Sequence, residues 1–278
     1  MWSLSTLSPW RPWKGRTQPE VAALAALRDQ PHVAALIGSH RADGRGRYGV
    51  VGIPCSVYVS PDETSAVRNI FTETNPNRLR IMALGYEAGF PLVHLENRSA
   101  PRGQPKTLCY ELDAAIIVDH HTGQVGLFGE NGKNSELLRS ILDNPPTQIA
   151  HPGHATLEPL VSDDEHAERI RKTHAHIAAG DIYQANIARR LHLAGEVDAL
   201  GMLETLTRDN PVPHGAYIRF GAIEVLSNTM ETLLTFDPED RLTRSHPIKG
   251  TCERRERDGH HLGETQGLSQ NPKERAEH

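Results

Sequence analysis

Residues 215–245 read GAYIRFGAIEVLSNTMETLLTFDPEDRLTRS, and this stretch decides the fold class. Its apolar and β-branched runs predict four short strands: Gly215–Phe220, Ile223–Ser227, Thr232–Phe236 and Arg241–Ser245. The connections are far shorter than the dozen or so residues a parallel crossover needs, so successive strands are expected to run antiparallel. Just upstream, Val197–Thr207 has helical spacing and stops at Asp209-Asn210-Pro211. Before that, Ser162 and Glu165 form an S-x-x-E capping box, Ala167, Ile170, Ile177 and Ala178 make an apolar stripe, and Gly180 supplies a stop. Helices followed by an antiparallel sheet give an α+β class, with helices packed on the sheets.

Working outward toward the amino terminus, residues 144–161 (NPPTQIAHPGHATLEPLV) carry four prolines and little periodicity. They divide the chain into an N-terminal region 1–145, a linker 146–161 and a C-terminal region 162–278. Within the first region Ala114–Val118 and Gln124–Phe128 flank His121-Thr122-Gly123 and predict a hairpin. Tyr48–Val51 and Ser56–Val59, separated by Gly52 and Pro54, have a hairpin-like layout as well. Glu20–Asp29 and Ser135–Leu142 read as helices, the second halted at Asn144-Pro145-Pro146.

Composition removes several classes of function. The 278 residues hold 30 basic and 35 acidic side chains, a net charge of 30 − 35 = −5, which argues against a nucleic-acid binder working by phosphate neutralisation. No apolar run approaches the ~18 residues of a membrane span. The amino terminus, MWSLSTLSPWRPWKGR, has no continuous apolar core, so no signal peptide and a cytoplasmic location are expected. Three dispersed cysteines form neither a disulfide framework nor a C-x-x-C site. The sixteen histidines lack partners at recognised ligand spacings. Phosphate-loop, dinucleotide-binding and nucleophile-elbow motifs are all missing.

Three short motifs remain: Gly180-Asp181-Ile182-Tyr183-Gln184-Ala185-Asn186, Ser227-Asn228-Thr229-Met230-Glu231 and Pro247-Ile248-Lys249-Gly250-Thr251. Alone, Asp181 could be a turn acid, Glu231 a strand-end carboxylate and Lys249 a solvated loop lysine. In this order, and followed by Lys273-Glu274-Arg275-Ala276-Glu277-His278, they resemble the chorismate-utilising enzymes. That family includes anthranilate synthase large subunits, aminodeoxychorismate synthase component I, and isochorismate and salicylate synthases. The resemblance is strong over residues 160–278. It is weaker toward the amino terminus, where Gly46-Arg47-Tyr48, Tyr86-Glu87 and the 114–128 hairpin carry it.

The resemblance implies the anthranilate synthase component I-like fold and a specific chemistry. Anthranilate synthases carry P-I-A-G-T, whereas aminodeoxychorismate synthases typically carry P-I-K-G-T, so Lys249 points to the second group and to para-aminobenzoate and folate synthesis. In that chemistry the lysine amine adds at ring C2 of chorismate as hydroxide leaves C4; ammonia then attacks C4 and expels the lysine. A free lysine, with a pKa near 10.4, is the nucleophilic amine in only about one molecule in 10³ at neutral pH, so a partly desolvated Lys249 is expected. Glu231 is the implied general acid/base, with a pKa expected above that of a surface Glu. Gly250 and Thr251 are implied substrate-binding residues, and Glu277 a ligand of the Mg²⁺ that neutralises the ring carboxylate. The implied partners are chorismate and a glutamine amidotransferase subunit that delivers ammonia.

Three departures from the family pattern stand out. Met230 replaces the usual proline before the glutamate, and Cys252-Glu253 replace an arginine and a proline. The sequence also stops at His278, inside a predicted helix, while the family's remaining metal glutamates and carboxylate-gripping residues lie further on. A C-terminally truncated family member, catalytically incomplete by itself, is therefore expected. An anthranilate synthase large subunit and a non-catalytic truncated relative are the alternatives. Leu36-Ile37-Gly38-Ser39 lacks the glutamate of the feedback-sensitive L-L-E-S motif, so tryptophan inhibition is not expected.

Overall fold

In the computed structural model the described residues are 7–15, 18–39, 44–60, 75, 77–94, 105–129, 131–147, 151–237, 239–248, 254–257, 260–263, 270–272 and 275. A short strand β1 (Arg11–Pro12) precedes helix α1 (Pro19–Ala26), which has proline in its first turn, where the missing N–H costs nothing. Strands β2 (His32–Ile37), β3 (Tyr48–Gly52), β4 (Ser56–Ser60) and β5 (Leu79–Leu84) follow, then a 3₁₀ segment Tyr86–Val93. Next come β6 (Thr107–Leu112), β7 (Ala115–Asp119), β8 (Gln124–Phe128) and helix α2 (Lys133–Asp143). The later part comprises β9 (Gly153–Pro159), α3 (Asp163–Ala179), β10 (Leu191–Val197), α4 (Ala199–Asp209), β11 (His214–Phe220) and β12 (Ile223–Thr229). It ends with β13 (Thr232–Asp237), β14 (Leu242–His246), β15 (Arg254–Arg257) and β16 (His260–Gly263).

The central element is a seven-stranded sheet in the order β1-β8-β7-β3-β2-β11-β12, antiparallel throughout. Its two faces are covered differently. Alternate residues of β2, β3 and β7 (Val33, Ala35, Ile37, Val51, Ile116, Val118) point toward α1, α2 and α4, where they meet Leu24, Leu27, Leu138 and Leu200. The intervening residues (Ala34, Val50, Ala115, Ile117) point the other way, against Leu79, Leu108, Tyr110 and Leu112 of the three-stranded sheet β4-β6-β5. Burial on both faces is why β2 and β7 read as unbroken apolar runs rather than as alternating patterns. The result is a helix layer, a large sheet and a small sheet, and the α+β expectation with antiparallel sheets holds.

Several sequence expectations are met. The β7–β8 hairpin closes at Gly123, whose φ of +69° favours glycine. The Ser162 hydroxyl accepts the Glu165 backbone N–H, and Gly180 ends α3 in the left-handed region. Other expectations are corrected. Tyr48–Gly52 and Ser56–Ser60 are strands but not a hairpin: β3 joins the large sheet and β4 pairs with β6. Gly52-Ile53-Pro54 carries the chain from one layer to the other. The segment expected as a linker contains strand β9, paired along its whole length with β10. The four-strand run splits as well. β11 pairs with β12 and β13 with β14, but the other neighbour of β11 is β2, so the large sheet takes strands from both sides of residues 146–161.

Among the described residues no helix is long and apolar enough to cross a membrane. The hairpins β9–β10, β13–β14 and β15–β16 each stand as two-stranded sheets outside the layered core.

Candidate active site

Glu231 sits in the short connection between β12 and β13, where its backbone N–H donates to Thr229 Oγ1 at 3.2 Å. Beside it, Thr232 Oγ1 meets His214 Nε2 at 2.5 Å, tying this connection to the start of β11 and so to the large sheet. The register of the next hairpin pairs Thr232 with His246. The backbone at Glu231 therefore lies at the same end of β13–β14 from which the chain runs on through Pro247 and Ile248 toward residue 249. Topology thus brings Glu231 and, of the last motif, Pro247 and Ile248 to one end of one hairpin. The Glu231 side chain is solvent-exposed, and so are Met230 and Ile248.

Lys249, Gly250, Thr251 and Glu277 lie outside the described residues. Among those that are described, no three His, Cys, Asp or Glu side chains converge to hold a metal ion. The Mg²⁺ expectation therefore rests on Glu277 and the resemblance.

The first motif is a helix stop and exit. Gly180 takes φ +80°, the Asp181 N–H donates to the His176 carbonyl at 3.0 Å, and the Asp181 carboxylate faces His176 Nδ1 at 2.9 Å. Asp181 is thus a capping acid in this arrangement. Further along, Arg189 and Arg190 line an open cleft of about 640 Å³ with Leu160, Val161, Arg169 and Ala188. Arg189 is engaged by Asp163 at 2.5 Å and Arg169 by Glu165 at 2.7 Å. Arg190 has no carboxylate partner among the described residues. Nothing in the sequence marked this cleft, because its walls come from the end of β9, the first turns of α3 and the approach to β10.

A second cluster missed at the sequence level lies on the helix-covered side of the large sheet. Glu20 of α1 is fully buried, and its carboxylate meets His120 Nε2 at 2.6 Å. A Cβ on Gly49 would fall 1.8 Å from that carboxylate, so strand β3 needs glycine there. Next to His120, Asp119 takes a bidentate grip from Arg47 at 2.8 and 3.1 Å and accepts the His121 N–H at 2.9 Å. Burial would push the Asp119 carboxyl up, but the Arg47 guanidinium and the backbone N–H donors hold it below its ordinary value. The signal available in the sequence was a lone glutamate inside the apolar run of α1, which is expected to be paired if buried.

Comparison with known proteins decides the family. Residues 55–278 match the family described as chorismate binding enzyme. The chain belongs to that family. Relatives of this family member fall into two named groups. It is 30% identical over 194 residues to aminodeoxychorismate synthase component 1 of Klebsiella aerogenes, covering 69% of this chain and 43% of that protein. It is 35% identical over 168 residues to anthranilate synthase component 1 of Haloferax volcanii, covering 59% of this chain and 30% of that one. The fold is similar to the crystal structure of anthranilate synthase component I from Streptococcus pneumoniae, with a TM-score of 0.64 and 12% identity, over 84% of this chain and 59% of that one. The chain thus spans less than half the length of either curated relative.

Proposed function

We propose that this family member acts as an aminodeoxychorismate synthase component I, converting chorismate and ammonia to 4-amino-4-deoxychorismate for para-aminobenzoate and folate synthesis. The observation that carries this reading is Lys249 within Pro247-Ile248-Lys249-Gly250-Thr251, and the similarity to the Klebsiella aerogenes protein supports it. Lys249 adds at C2 of chorismate while the C4 hydroxyl leaves, with Glu231 supplying the proton to that hydroxyl. Ammonia then attacks C4, the lysine leaves C2, and Glu231 takes up the proton that ammonia loses. The open connection that carries Glu231, at the end of the hairpin leading to Lys249, supports the pairing of these roles. Gly250 and Thr251 would line the substrate, and Glu277 would help to hold Mg²⁺ against its ring carboxylate. A glutamine amidotransferase subunit would supply the ammonia, in the cytoplasm.

The 35% identity to the Haloferax volcanii protein favours a second reading, anthranilate synthesis, against which Lys249 stands. One experiment separates them. Residues 160–278 are grafted into the Klebsiella aerogenes protein in place of its matching segment, and the chimera is supplied with chorismate, ammonium and Mg²⁺. The expected product is 4-amino-4-deoxychorismate, and Lys249→Ala is expected to abolish it. Anthranilate as the main product would establish the second reading. A folded chimera that makes neither would leave a non-catalytic relative.

A further inference from the structure

The connection between β12 and β13 is fixed from both sides of Glu231. Before it, Thr229 Oγ1 accepts the Glu231 N–H at 3.2 Å; after it, Thr232 Oγ1 lies 2.5 Å from His214 Nε2. The register of β11 with β12 sets His214 directly opposite Thr229, so the two side chains start on one face of the sheet. From there the imidazole reaches past the end of β12 to Thr232. Met230, in the middle, is exposed and has no ring to fix its φ, so these side-chain bonds do the fixing instead. His214 itself stands on a firm base. Pro213 before it and Gly215 after it are buried, and Gly215 pairs with both Asn228 of β12 and Ile37 of β2. A Cβ on Gly46 would fall 2.3 Å from the Pro213 carbonyl oxygen, so the β2–β3 connection presses on this point as well. Asn228 Nδ2 donates to the Asn210 carbonyl at 3.1 Å, holding the approach to β11 against β12.

We infer that His214 is a positioning residue for Glu231: seated on the large sheet, its imidazole holds Thr232 and so sets where the neighbouring carboxyl stands. The inference rests on the proposed role of Glu231, which gives a proton to the departing C4 hydroxyl and takes one from ammonia. A group with that task must come within about 3 Å of the atom it serves, and a displacement of about 1 Å can cost a hundredfold in rate. The Glu231 carboxylate has no hydrogen-bond or ion-pair partner of its own among the described residues, so its placement comes from the backbone that carries it. That backbone is tied to the layered core through Thr232 and His214. No proton passes through His214; its imidazole acts only by holding the hydroxyl.

Two measurements test this. In the full 278-residue chain, ¹⁵N relaxation should find the Glu231 and Thr232 amides rigid, with order parameters near ~0.85. In His214→Ala and in Thr232→Val they should fall below ~0.6, while His214→Gln, whose amide can replace Nε2, keeps them rigid. The β3 and β7 amides should stay unchanged in all three, which shows that the core is folded. Glu231 and Thr232 amides equally ordered with and without the imidazole would overturn the inference. The second measurement uses the chimera that carries residues 160–278. There His214→Ala should lower kcat about tenfold or more with KM for chorismate within about twofold, and His214→Gln should recover most of the loss. Against a Glu231→Gln background the same His214→Ala change should cost less than about twofold, because no carboxyl remains to be misplaced. An equal loss with and without Glu231, or a loss confined to KM, would also overturn it. Product identity keeps the two readings apart. A chimera that makes anthranilate removes the proposed activity, yet the ratio of variant to unaltered kcat still judges His214. If the chimera makes neither product, the relaxation measurement alone sustains or overturns the tie.

Discussion

Glu20 and His120 meet at 2.6 Å across the helix-covered face of the large sheet, with the glutamate completely buried and the imidazole nearly so. Burial by itself would lower the pKa of His120, but the hydrogen bond and charge of Glu20, aided by Asp119, reverse this and leave it raised above 6.5. A histidine whose folded pKa lies above its unfolded value contributes stability that is fully present below about 6.5 and is lost as pH rises through the folded value. Urea unfolding followed upward from about pH 6 should therefore show stability declining as His120 deprotonates. Replacing His120 by alanine should remove that slope and cost about 3–5 kcal/mol, because it strands a buried carboxylate. A pH profile identical in wild type and His120→Ala would rule out the pair as the source.

Gly49 gives a sharper packing test. A methyl group there would lie 1.8 Å from Glu20 Oε1, far inside contact distance, so Gly49→Ala must push the carboxylate off His120. The expected loss is about 1–3 kcal/mol, as for other overpacked cores. Because both changes break the same contact, the double variant Gly49→Ala, Glu20→Ala should lose less than the sum of the two single losses. Strict additivity in denaturant titrations would show that Gly49 acts through something other than Glu20.

Tyr110 links the two sheets. Its hydroxyl donates to the Arg219 carbonyl at 2.5 Å, joining β6 of the small sheet to β11 of the large one, and burial pushes its pKa up to about 12. Spectrophotometric titration should find this phenol still protonated where exposed tyrosines have ionised, near 10. Tyr110→Phe should cost about 1–3 kcal/mol by leaving a part-buried carbonyl without this donor. A loss well below 1 kcal/mol would mean that water replaces the hydroxyl there.

Local signals explain which elements could be read from sequence. The β7–β8 hairpin carries its own turn at His121-Thr122-Gly123, and α3 carries Ser162 and Gly180 at its ends, so each is specified within its own stretch of chain. The pairing of β11 with β2 has no such signature: Gly215 opposes Ile37, 215 − 37 = 178 positions earlier. Nothing near either strand distinguishes that neighbour from β13. β9 was obscured by the prolines around it, although Ala155, Leu157 and Pro159 already alternate with polar residues. Motif spacing made Glu231 and Lys249 visible as candidates. The Glu20–His120 pair was not legible because it joins residues 120 − 20 = 100 positions apart: the lone glutamate in the apolar run of α1 calls for a partner, but nothing near it names His120.

Helix α3 provides the last prediction, because it is held almost wholly by its own sequence. None of its residues is buried. In place of packing it has the Ser162 cap, three acidic residues in its first turn, ion pairs from Glu165 to Arg169 and from Glu168 to Arg171 and Lys172, and a Gly180 stop. At that stop the N–H groups of Gly180 and Asp181 satisfy the carbonyls of Ile177 and His176. A cap contributes about 1 kcal/mol and each exposed pair only a few tenths, which leaves a helix of this length marginal without a packed face. Native-state hydrogen exchange should therefore separate two classes of amide. Those of α3 should exchange through local opening, and those of β3 and β7 only on global unfolding. Ser162→Ala should speed exchange across α3 about fivefold, the equivalent of about 1 kcal/mol, and leave β3 and β7 unchanged. Equal protection of α3 and β7, shifting together in the variant, would show that α3 is packed after all.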